Sequence, residues 1–231
     1  MNQVDREIMI QYLISQMGAI ISDTHVVLAS GKHSDSYMNK DAIYPHTETI
    51  ASLCEMIAGE FVYSDIDAVI APAIGGVILS QWTAYYLSRA TGRDVLSVYA
   101  EKTADGDFTI GRGYDKLITG KNVFVVEDVL TTGGSVKKVI EAARLLNCNI
   151  IGLGAICNRG KVTTADVANP PMIFSLMNLD IQTWDESDCP LCKLEVPINT
   201  TVGRGKKFLA DKSAEKKLTF LDIESERANL D

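Results

Sequence analysis

The segment Asn122–Ser135, NVFVVEDVLTTGGS, decides the fold class of this chain. It begins with an apolar run rich in β-branched residues and continues through two adjacent carboxylates, Glu127 and Asp128. Hydroxyls and glycines follow, and then a helical pattern. This order predicts a central parallel strand, buried on both faces, whose C-terminal end points into a ligand crevice. The residues at the end of this strand are therefore placed to contact a substrate.

The stretch after the carboxylates has the composition of an anion-binding turn. Its residues are Thr131, Thr132, Gly133, Gly134 and Ser135. The glycines leave backbone N–H groups accessible, and the hydroxyls add donors around the same space. The helix expected to begin near the last of these residues directs the positive end of its dipole there, which favours a phosphate. The alternative is an ordinary junction in which these residues only cap and turn.

The two carboxylates suggest what lies beside the phosphate. Glu127 and Asp128 are acceptors only when ionised, so they would repel a phosphate and instead accept hydrogen bonds from a pair of hydroxyls. A phosphate next to a vicinal diol describes ribose 5-phosphate. The whole segment resembles the phosphoribosyl pyrophosphate (PRPP) signature of the type I phosphoribosyltransferases. The resemblance implies that the acids hold the ribose hydroxyls and that the turn holds the 5-phosphate.

The rest of the chain alternates between helical and strand patterns. A helical stripe over residues 3–17 ends before Gly18. Further helices are predicted at 47–62, at 76–91 and from about 135, and strands at 67–72, 95–100, 122–127 and 150–156. The alternation predicts an α/β fold with a doubly wound parallel sheet. The resemblance specifies it as the type I phosphoribosyltransferase fold, a central mostly parallel sheet flanked by helices with a small hood.

Length and charge limit the class of protein. With 231 residues and 46% hydrophobic content, the chain can bury one sizeable core, which predicts a single domain over residues 1–231. The net charge of −8 argues against contact with nucleic acid or an anionic membrane surface. No apolar run reaches the length of a membrane span, and the N-terminus carries acids where a secretory signal would be basic. We therefore expect a cytoplasmic protein.

The resemblance also suggests how this domain is divided. It implies a core over about 46–169 and a hood formed by about 1–45 and 170–207. The charged residues 208–231 are predicted to form a solvated helix or a loose tail.

A second strand end adds to the predicted site. After the run DAVIAP, the chain offers bare backbone amides at Ala73, Gly75 and Gly76 before a helix. The resemblance implies that these residues contact the pyrophosphate of PRPP. On its own the glycine pair favours a simple helix-entry turn.

The segment 28–40, LASGKHSDSYMNK, resembles the hood segment that frames the pyrimidine in orotate phosphoribosyltransferases. Just past the strand at 150–156, Arg159 has a planar fork suited to a carboxylate such as that of orotate. The resemblance implies an orotate site made of Tyr37, Asn39, Lys40, Thr131 and Arg159. The alternatives are a polar loop for 28–40 and a surface arginine at 159.

The catalytic assignments centre on the loop AEKTADGDFTIGRGYDK. We expect catalytic roles for Lys102, which would also bind PRPP, for Arg112 and for Asp128, with the glycine-containing loop closing over the reactants. Aspartates stand where the commonest orotate pattern has a second lysine and a histidine. In the alternative interpretation, Lys102 and Arg112 are solvated charges of a hairpin.

The same resemblance implies Mg²⁺ carried mainly by PRPP, no dedicated protein metal site, and a homodimer. The small-molecule partners would be PRPP and orotate. Two other functions stay open: transfer to another base, such as a purine, and non-catalytic PRPP sensing. The hood segment and Arg159 argue against the first. The acidic composition argues against the second, since a transcriptional sensor needs a basic face.

The five cysteines show no disulfide framework, which favours free thiols. Cys189 and Cys192 form a C-P-L-C pair. A zinc site would need two more ligands, and the three histidines lie far away in sequence. We expect His33 to be an exposed loop residue. The pair is therefore interpreted as structural or incidental, within a turn, and the alternatives are metal binding or redox use.

Overall fold

The computed structural model describes residues 3–214, which divide into two compact units. The first unit consists of a segment that ends at Met17 and of residues Lys40–Asp180. The second unit consists of Gly18–Asn39 and of a segment that begins at Ile181. The domain and hood boundaries given above stay predictions. Residues 205–214 are helical, and the rest of the predicted tail, 215–231, lies outside the described residues. No helix among the described residues is both long and apolar enough to cross a membrane.

The described elements match most of the predicted ones. The helices are α1 (Gln3–Gln16), α2 (Thr47–Glu60), α3 (Gly75–Thr91), α4 (Tyr114–Ile118), α5 (Gly134–Leu145) and α6 (Pro190–Lys193), with 3₁₀ turns at Lys40–Ala42 and Thr164–Val167. The strands are β1 (Ile20–Ile21), β2 (Val26–Val27), β3 (His33–Ser34), β4 (Tyr37–Met38), β5 (Ala68–Pro72), β6 (Leu96–Lys102), β7 (Phe108–Thr109), β8 (Asn122–Leu130), β9 (Asn149–Asn158) and β10 (Ile173–Asn178).

A six-stranded sheet forms the centre of the first unit, in the order β10-β9-β8-β5-β6-β7. All neighbours are parallel except β7, which pairs antiparallel with β6 at the edge. The predicted central, mostly parallel sheet is therefore confirmed. Strand β8 lies between β9 and β5, so the ends of three adjacent parallel strands meet at one edge of the sheet.

Helices cover both faces of this sheet. On one face, Val136, Val139 and Ile140 of α5 are buried in a cluster with Val123 and Val125 of β8. The other face receives α2 and α3. The spacing of apolar residues in α5 fits this arrangement, because residues three and four apart share one face of a helix.

Glycines allow α2 to approach the sheet closely. The ring of Phe61, which follows α2, lies 4.2 Å from that of Phe124, centroid to centroid. A Cβ atom at Gly154 would lie 2.7 Å from the Cγ2 atom of Ile57 and 2.7 Å from the Cζ atom of Phe124. The side chains of α2 and β8 therefore occupy the space above this residue.

Two strands of the sheet, β7 and β10, were not predicted. Strand β10 lies at the edge of the sheet, and only two of its six residues are buried. It also follows the pair Pro170–Pro171, which reads as a loop. Strand β7 is only two residues long and lies at the opposite edge. Short, half-exposed edge strands carry a weak periodic signal.

The second unit contains two small antiparallel pairs, β1 with β4 and β2 with β3. In the second pair, Val26 lies opposite Ser34 and Val27 lies opposite His33. The backbone of His33 also exchanges two hydrogen bonds with that of Trp184, of 2.8 and 2.9 Å. The unit therefore joins residues from distant parts of the chain.

The close contact at Gly154 yields a stability prediction. Gly154→Ala should lower the free energy of unfolding by about 1–3 kcal/mol, because the methyl group enters occupied space. The matched control is Gly59→Ala in α2, where an added Cβ would meet no atom within 4 Å. The control should keep or raise stability, since alanine favours helix over glycine. Chemical denaturation with equal midpoints for the two variants would contradict this packing.

Candidate active site

The acidic pair lies near the end of β8, and both residues are almost fully buried. The Oδ2 atom of Asp128 accepts hydrogen bonds from Lys40 Nζ and from the Tyr44 hydroxyl, both at 2.7 Å. Its Oδ1 atom accepts the backbone N–H of Val129 at 2.6 Å. The Oε1 atom of Glu127 accepts the backbone N–H of Asp128 at 3.0 Å. The strand end thus holds one carboxylate in an ion pair and a second carboxyl beside it.

Burial and neighbouring charge shift the ionisation of this cluster. Burial, with the negative charge of Asp128 as the second cause, raises the pKa of Glu127 well above its ordinary value. Burial and then the same carboxylate also raise the pKa of Tyr44. For Lys40, burial lowers the pKa, but the attraction and hydrogen bond of Asp128 outweigh it, so the pKa is raised. Lys40 therefore stays charged, and Glu127 keeps its proton to higher pH than an ordinary glutamate.

Tyr44 is a site residue that sequence reasoning did not identify. It lies four residues after Lys40, just beyond the 3₁₀ turn. That spacing puts both side chains on one side when a chain coils. The spacing therefore indicates only that these two side chains are neighbours. Their contact with Asp128, more than 80 residues later, depends on the tertiary fold.

The turn after β8 forms a cleft of about 120 Å³. It is lined by Glu127, Val129, Leu130, Thr131, Thr132, Gly133, Gly134, Ser135 and Val136. Helix α5 begins at Gly134, one residue before the predicted start, and Gly133 has φ of +74°. The predicted turn at the N-terminus of a helix is confirmed. A Cβ at Gly133 would lie 2.4 Å from the side chain of Val167, so both conformation and space require glycine there.

The second strand end lies directly against the first. A Cβ atom at Gly75 would lie 2.6 Å from Asp128 Oδ2, 2.9 Å from the Tyr44 hydroxyl and 3.2 Å from Lys40 Nζ. Helix α3 begins at this glycine. The peptide bond between Ala73 and Ile74 is cis, and the Ala73 N–H donates to Ala100 O at 2.8 Å. The backbone from Ala73 to Gly76 therefore borders the acidic pair.

Arg159 lies at the third strand end, immediately after β9. Its Nε donates to Thr131 Oγ1 at 3.2 Å, and its backbone N–H donates to Leu130 O at 3.0 Å. A Cβ at Gly160 would lie 1.6 Å from Thr131 O, so the two backbones are in direct contact. The structure thus joins Arg159 to the start of the turn at 131–135.

Lys102 is the last residue of β6, which forms a hairpin with β7, and Arg112 lies three residues after β7. Arg112 donates to Glu101 Oε1 through Nε at 3.0 Å and through an η nitrogen at 2.7 Å; Arg112 is exposed and Glu101 is half-buried. At the hairpin end, Lys138 of α5 donates to Gly106 O at 2.8 Å and pairs with Asp107 at 2.9 Å. Lys102 is exposed. The hairpin end is therefore fixed one helical turn from the cleft, through a lysine that sequence analysis did not select.

The remaining predicted site residues, Tyr37 and Asn39, belong to the second unit. Tyr37 lies in β4 and is half-buried, and the Asn39 N–H donates to Ala19 O at 2.6 Å. They thus extend the small β1–β4 pair. Their roles in binding stay predictions.

Two expectations for the second unit are wrong. His33 is fully buried, where an exposed loop residue was expected. His25 and His33 also lie beside Cys189 and Cys192, so the histidines that are distant in sequence are not distant in space. Residues 190–193 form the short helix α6, where a turn was expected.

Comparison with known sequences gives consistent matches. The profile described as "Phosphoribosyl transferase domain" matches residues 40–188. A protein of Thermoanaerobacter sp. named orotate phosphoribosyltransferase is 39% identical over 189 residues, which cover 80% of this chain and 92% of the relative. One of the same name from Thermotoga maritima is 37% identical over 201 residues, covering 86% and 100%.

Comparison with solved structures supports the fold. The orotate phosphoribosyltransferase of Aeropyrum pernix superposes with a TM-score of 0.57 at 22% identity, covering 73% of this chain and 92% of that one. That of Mycobacterium tuberculosis in complex with PRPP gives 0.56 at 19% identity, covering 76% and 96%. The type I phosphoribosyltransferase fold predicted from the sequence is confirmed.

The buried Glu127 gives a pH-dependent prediction. The unfolded chain releases the proton near an ordinary pKa of about 4.3, whereas the native carboxyl retains it because its pKa is raised. This contribution to stability is complete below the unfolded pKa and is lost as pH rises through the native pKa. Glu127→Gln cannot ionise, and its oxygen can still accept the Asp128 N–H. Its melting temperature relative to wild type should therefore increase between pH 4 and pH 8 in calorimetry.

The control for this prediction is Glu101→Gln. Arg112 lowers the pKa of Glu101, mainly through their hydrogen bond, so its stabilising contribution is present above the unfolded pKa and is lost as pH falls. The control should show a small change of the opposite sign. A Glu127→Gln difference that stays constant across the range would mean that the pKa of the native glutamate is not raised.

Proposed function

The chain belongs to the orotate phosphoribosyltransferase family, and from this we infer that it transfers the 5-phosphoribosyl group of PRPP to orotate. The products are orotidine 5′-monophosphate and pyrophosphate, as in pyrimidine synthesis. The observation that carries the inference is the meeting of three strand ends. The acidic pair with its hydroxyl-and-glycine turn, a bare glycine backbone and Arg159 adjoin one another there.

PRPP binding follows from the chemistry of these groups. We propose that the turn from Thr131 to Ser135 holds the 5-phosphate with backbone N–H groups and hydroxyls at the start of α5. The ribose hydroxyls donate to Asp128 and Glu127. Asp128 Oδ2 is held by Lys40 and Tyr44 in the structure, so these donors must share or yield that oxygen when the sugar binds.

The pyrophosphate end would lie along the second strand end. Backbone groups from Ala73 to Gly76 border Asp128, as a ligand that spans both sites requires. Lys102 and Arg112 would add positive charge when the hairpin closes, which requires Arg112 to exchange Glu101 for the substrate. Charge neutralisation at the leaving group lowers the barrier, since the transition state resembles an oxocarbenium ion paired with departing pyrophosphate.

Orotate would be bound at the third strand end. Arg159 adjoins Thr131, so its guanidinium can pair with the orotate carboxylate while the 131–135 turn holds the sugar phosphate. This holds the base nitrogen close to the anomeric carbon, and such positioning is a large part of catalysis. Tyr37, Asn39 and Lys40 complete the proposed base site. Lys40 can then turn from Asp128 to the anionic base.

The residues present fit Mg²⁺ held mainly by substrate. Asp128 is occupied by protein donors, and burial raises the pKa of Glu127, which disfavours its charged form, so the strand end offers no dedicated cage of carboxylates. Bound with PRPP, the ion would supply charge neutralisation at the pyrophosphate. A homodimer, which rests on the resemblance, and a cytoplasmic location, which rests on the composition of the sequence, belong to the same proposal.

The direct test mixes protein, Mg²⁺, PRPP and orotate and follows the loss of orotate absorbance. Adenine, hypoxanthine, xanthine and uracil are assayed in parallel. Turnover with orotate alone is expected. Turnover with a purine would reassign the acceptor, and tight PRPP binding without turnover of any base would support a sensor instead.

Substitution of the acidic pair tests the sugar site. Asp128→Asn should lower kcat/KM for PRPP about 10- to 100-fold, because hydrogen bonds to a charged acceptor contribute about 1.5–3 kcal/mol. The matched control is Asp65→Asn, which should keep full activity. Asp65 lies in the loop before β5, at the amino-terminal ends of the strands and away from the site. Unchanged kinetics in Asp128→Asn would remove this carboxylate from the site.

Substitution of Arg159 tests the base site. Arg159→Ala should raise KM for orotate at least tenfold while changing KM for PRPP little, because only the base carries the paired carboxylate. Arg93→Ala is the control. This arginine pairs with Asp65 and Asp67 at the amino-terminal ends of the strands, away from the site. Equal increases for both substrates in Arg159→Ala would mean that the arginine does not recognise the base.

A further inference from the structure

Four potential metal ligands meet in the second unit, outside the proposed active site. They are His25, His33, Cys189 and Cys192, and each directs one ligand atom into the same small space. The four atoms all lie within 4.8 Å of one another. Three of the residues are buried and Cys192 is half-buried. The cysteines are free thiols, so no disulfide occupies the position.

The β2–β3 pair brings the two histidines together. Val27 lies opposite His33, and side chains two residues apart point to the same face of a strand. His25 therefore shares a face with His33 and is its diagonal neighbour, a distance that ring side chains span. Their ring centroids are 4.9 Å apart. The hairpin thus presents two imidazoles side by side.

Helix α6 presents the two thiols in the same way. Cys189 precedes the helix as its N-cap, and Cys192 lies three residues later, within one turn. Residues three apart lie on one side of a helical turn. Because Pro190 occupies the first helical position, the turn begins directly after Cys189. The C-P-L-C spacing is therefore that of a two-thiolate clamp.

The distances are those of a small tetrahedron. With metal bonds of about 2.0 Å to nitrogen and 2.3 Å to sulfur, the edges of a zinc tetrahedron are about 3.3 Å for N–N and 3.5 Å for N–S. The N–S distances are 3.7 Å from His25 Nε2 to Cys189, 3.6 Å from the same atom to Cys192, and 3.3 Å from His33 Nδ1 to Cys192. The N–N distance is 2.8 Å, which is shorter than the tetrahedron edge. A rotation of one imidazole ring that moves its nitrogen by about half an ångström would correct it.

Hydrogen bonding fixes the protonation of one imidazole. The Nδ1 atom of His25 lies 2.7 Å from Val196 O, and only a protonated nitrogen can donate to a carbonyl. In the neutral ring, the Nε2 atom of His25 then carries the lone pair, and it is the atom that faces the thiols. A backbone carbonyl that orients a histidine in this way is the usual outer partner of a metal ligand.

We propose that His25, His33, Cys189 and Cys192 form a structural Zn²⁺ site of the Cys₂His₂ type. Two nitrogens and two sulfurs in a tetrahedral arrangement select zinc among the common divalent ions. Binding converts two thiols into thiolates and releases two protons, so the completed site is neutral. All four positions are protein ligands, which leaves none open for substrate and makes the role structural. The site does not depend on the proposed function.

The proposed ion would join two parts of the chain that lie far apart in sequence. Cys189 and His25 are separated by 164 positions. Within the second unit the histidines belong to the segment Gly18–Asn39, and the cysteines belong to the segment that begins at Ile181. Zinc would therefore fix the hood segment 28–40 to the C-terminal part of its own unit.

The first experiment measures metal in the full-length protein, produced with a tag that contains no histidine and purified without chelator. Mass spectrometry of the metals should find about one zinc per chain. Replacement by Co²⁺ should give the visible absorption of tetrahedral cobalt together with thiolate charge-transfer bands. Chelator should remove the ion and lower the melting temperature, and one equivalent of Zn²⁺ should restore it.

Single substitutions assign the ligands. Cys189→Ser, Cys192→Ser and His25→Ala should each lower zinc content at least tenfold or remove the cobalt thiolate bands. Cys148→Ser is the cysteine control, because its thiol donates to Ile118 O at 3.1 Å and a hydroxyl can form that bond. His46→Ala is the histidine control, because this residue is exposed. Both controls should retain zinc.

Several results would overturn the proposal. Wild-type protein that holds less than a tenth of an equivalent and does not bind added Zn²⁺ or Co²⁺ would show a hydrogen-bonded cluster without metal. Intact mass measured without reductant, two mass units low, would show a Cys189–Cys192 disulfide. Zinc content that is equally low in the ligand variants and the controls would mean that these four residues are not its ligands. The wild-type measurements decide the question even if a variant fails to fold.

Discussion

The structure depends on the close approach of three backbone segments at the carboxyl edge of the sheet. Gly75 has no room for a side chain because the Asp128 carboxylate, the Tyr44 hydroxyl and the Lys40 ammonium fill the space. Gly160 contacts the carbonyl of Thr131 in the same manner. Parallel strands alone bring these ends within reach, but glycine allows them to touch. The short separation would let the proposed substrate bridge the acidic pair, the 131–135 turn and Arg159.

The close approach of these segments costs free energy, because it buries charged groups, and neighbouring side chains offset part of that cost. Two adjacent carboxyl groups are buried, and desolvation with mutual repulsion raises the pKa of Glu127. The Asp128 carboxyl beside it is held by the Lys40 ion pair and the Tyr44 hydroxyl. These donors stabilise the carboxylate before substrate arrives. In the proposed complex, these donors share or yield the Asp128 oxygen when sugar hydroxyls bind, so protein hydrogen bonds would be exchanged for ligand ones without leaving a buried charge unpaired.

The sequence predicted what is encoded locally. The apolar run of β8, its carboxylates and the glycine turn lie within fourteen residues, and the structure reproduces them within one residue at the start of α5. Tyr44 and Lys138 were missed because their partners, Asp128 and the 106–107 hairpin end, are distant in sequence. Strand β10 was missed because it is a half-exposed edge strand that follows two prolines.

The sequence signal for the histidine–cysteine cluster was too weak to be interpreted alone. This applies both to the burial of His33 and to the contact of the two histidines with the cysteines. His25 and His33 are eight residues apart, a spacing without meaning until the β2–β3 register sets them diagonally on one face. The second unit contains two segments from distant parts of the chain, and its strands within residues 18–39 and 181–214 are short, so its core there is small. Small units of this kind commonly depend on a cross-link. Paired imidazoles and paired thiols, one pair from each segment, provide the ligands for one.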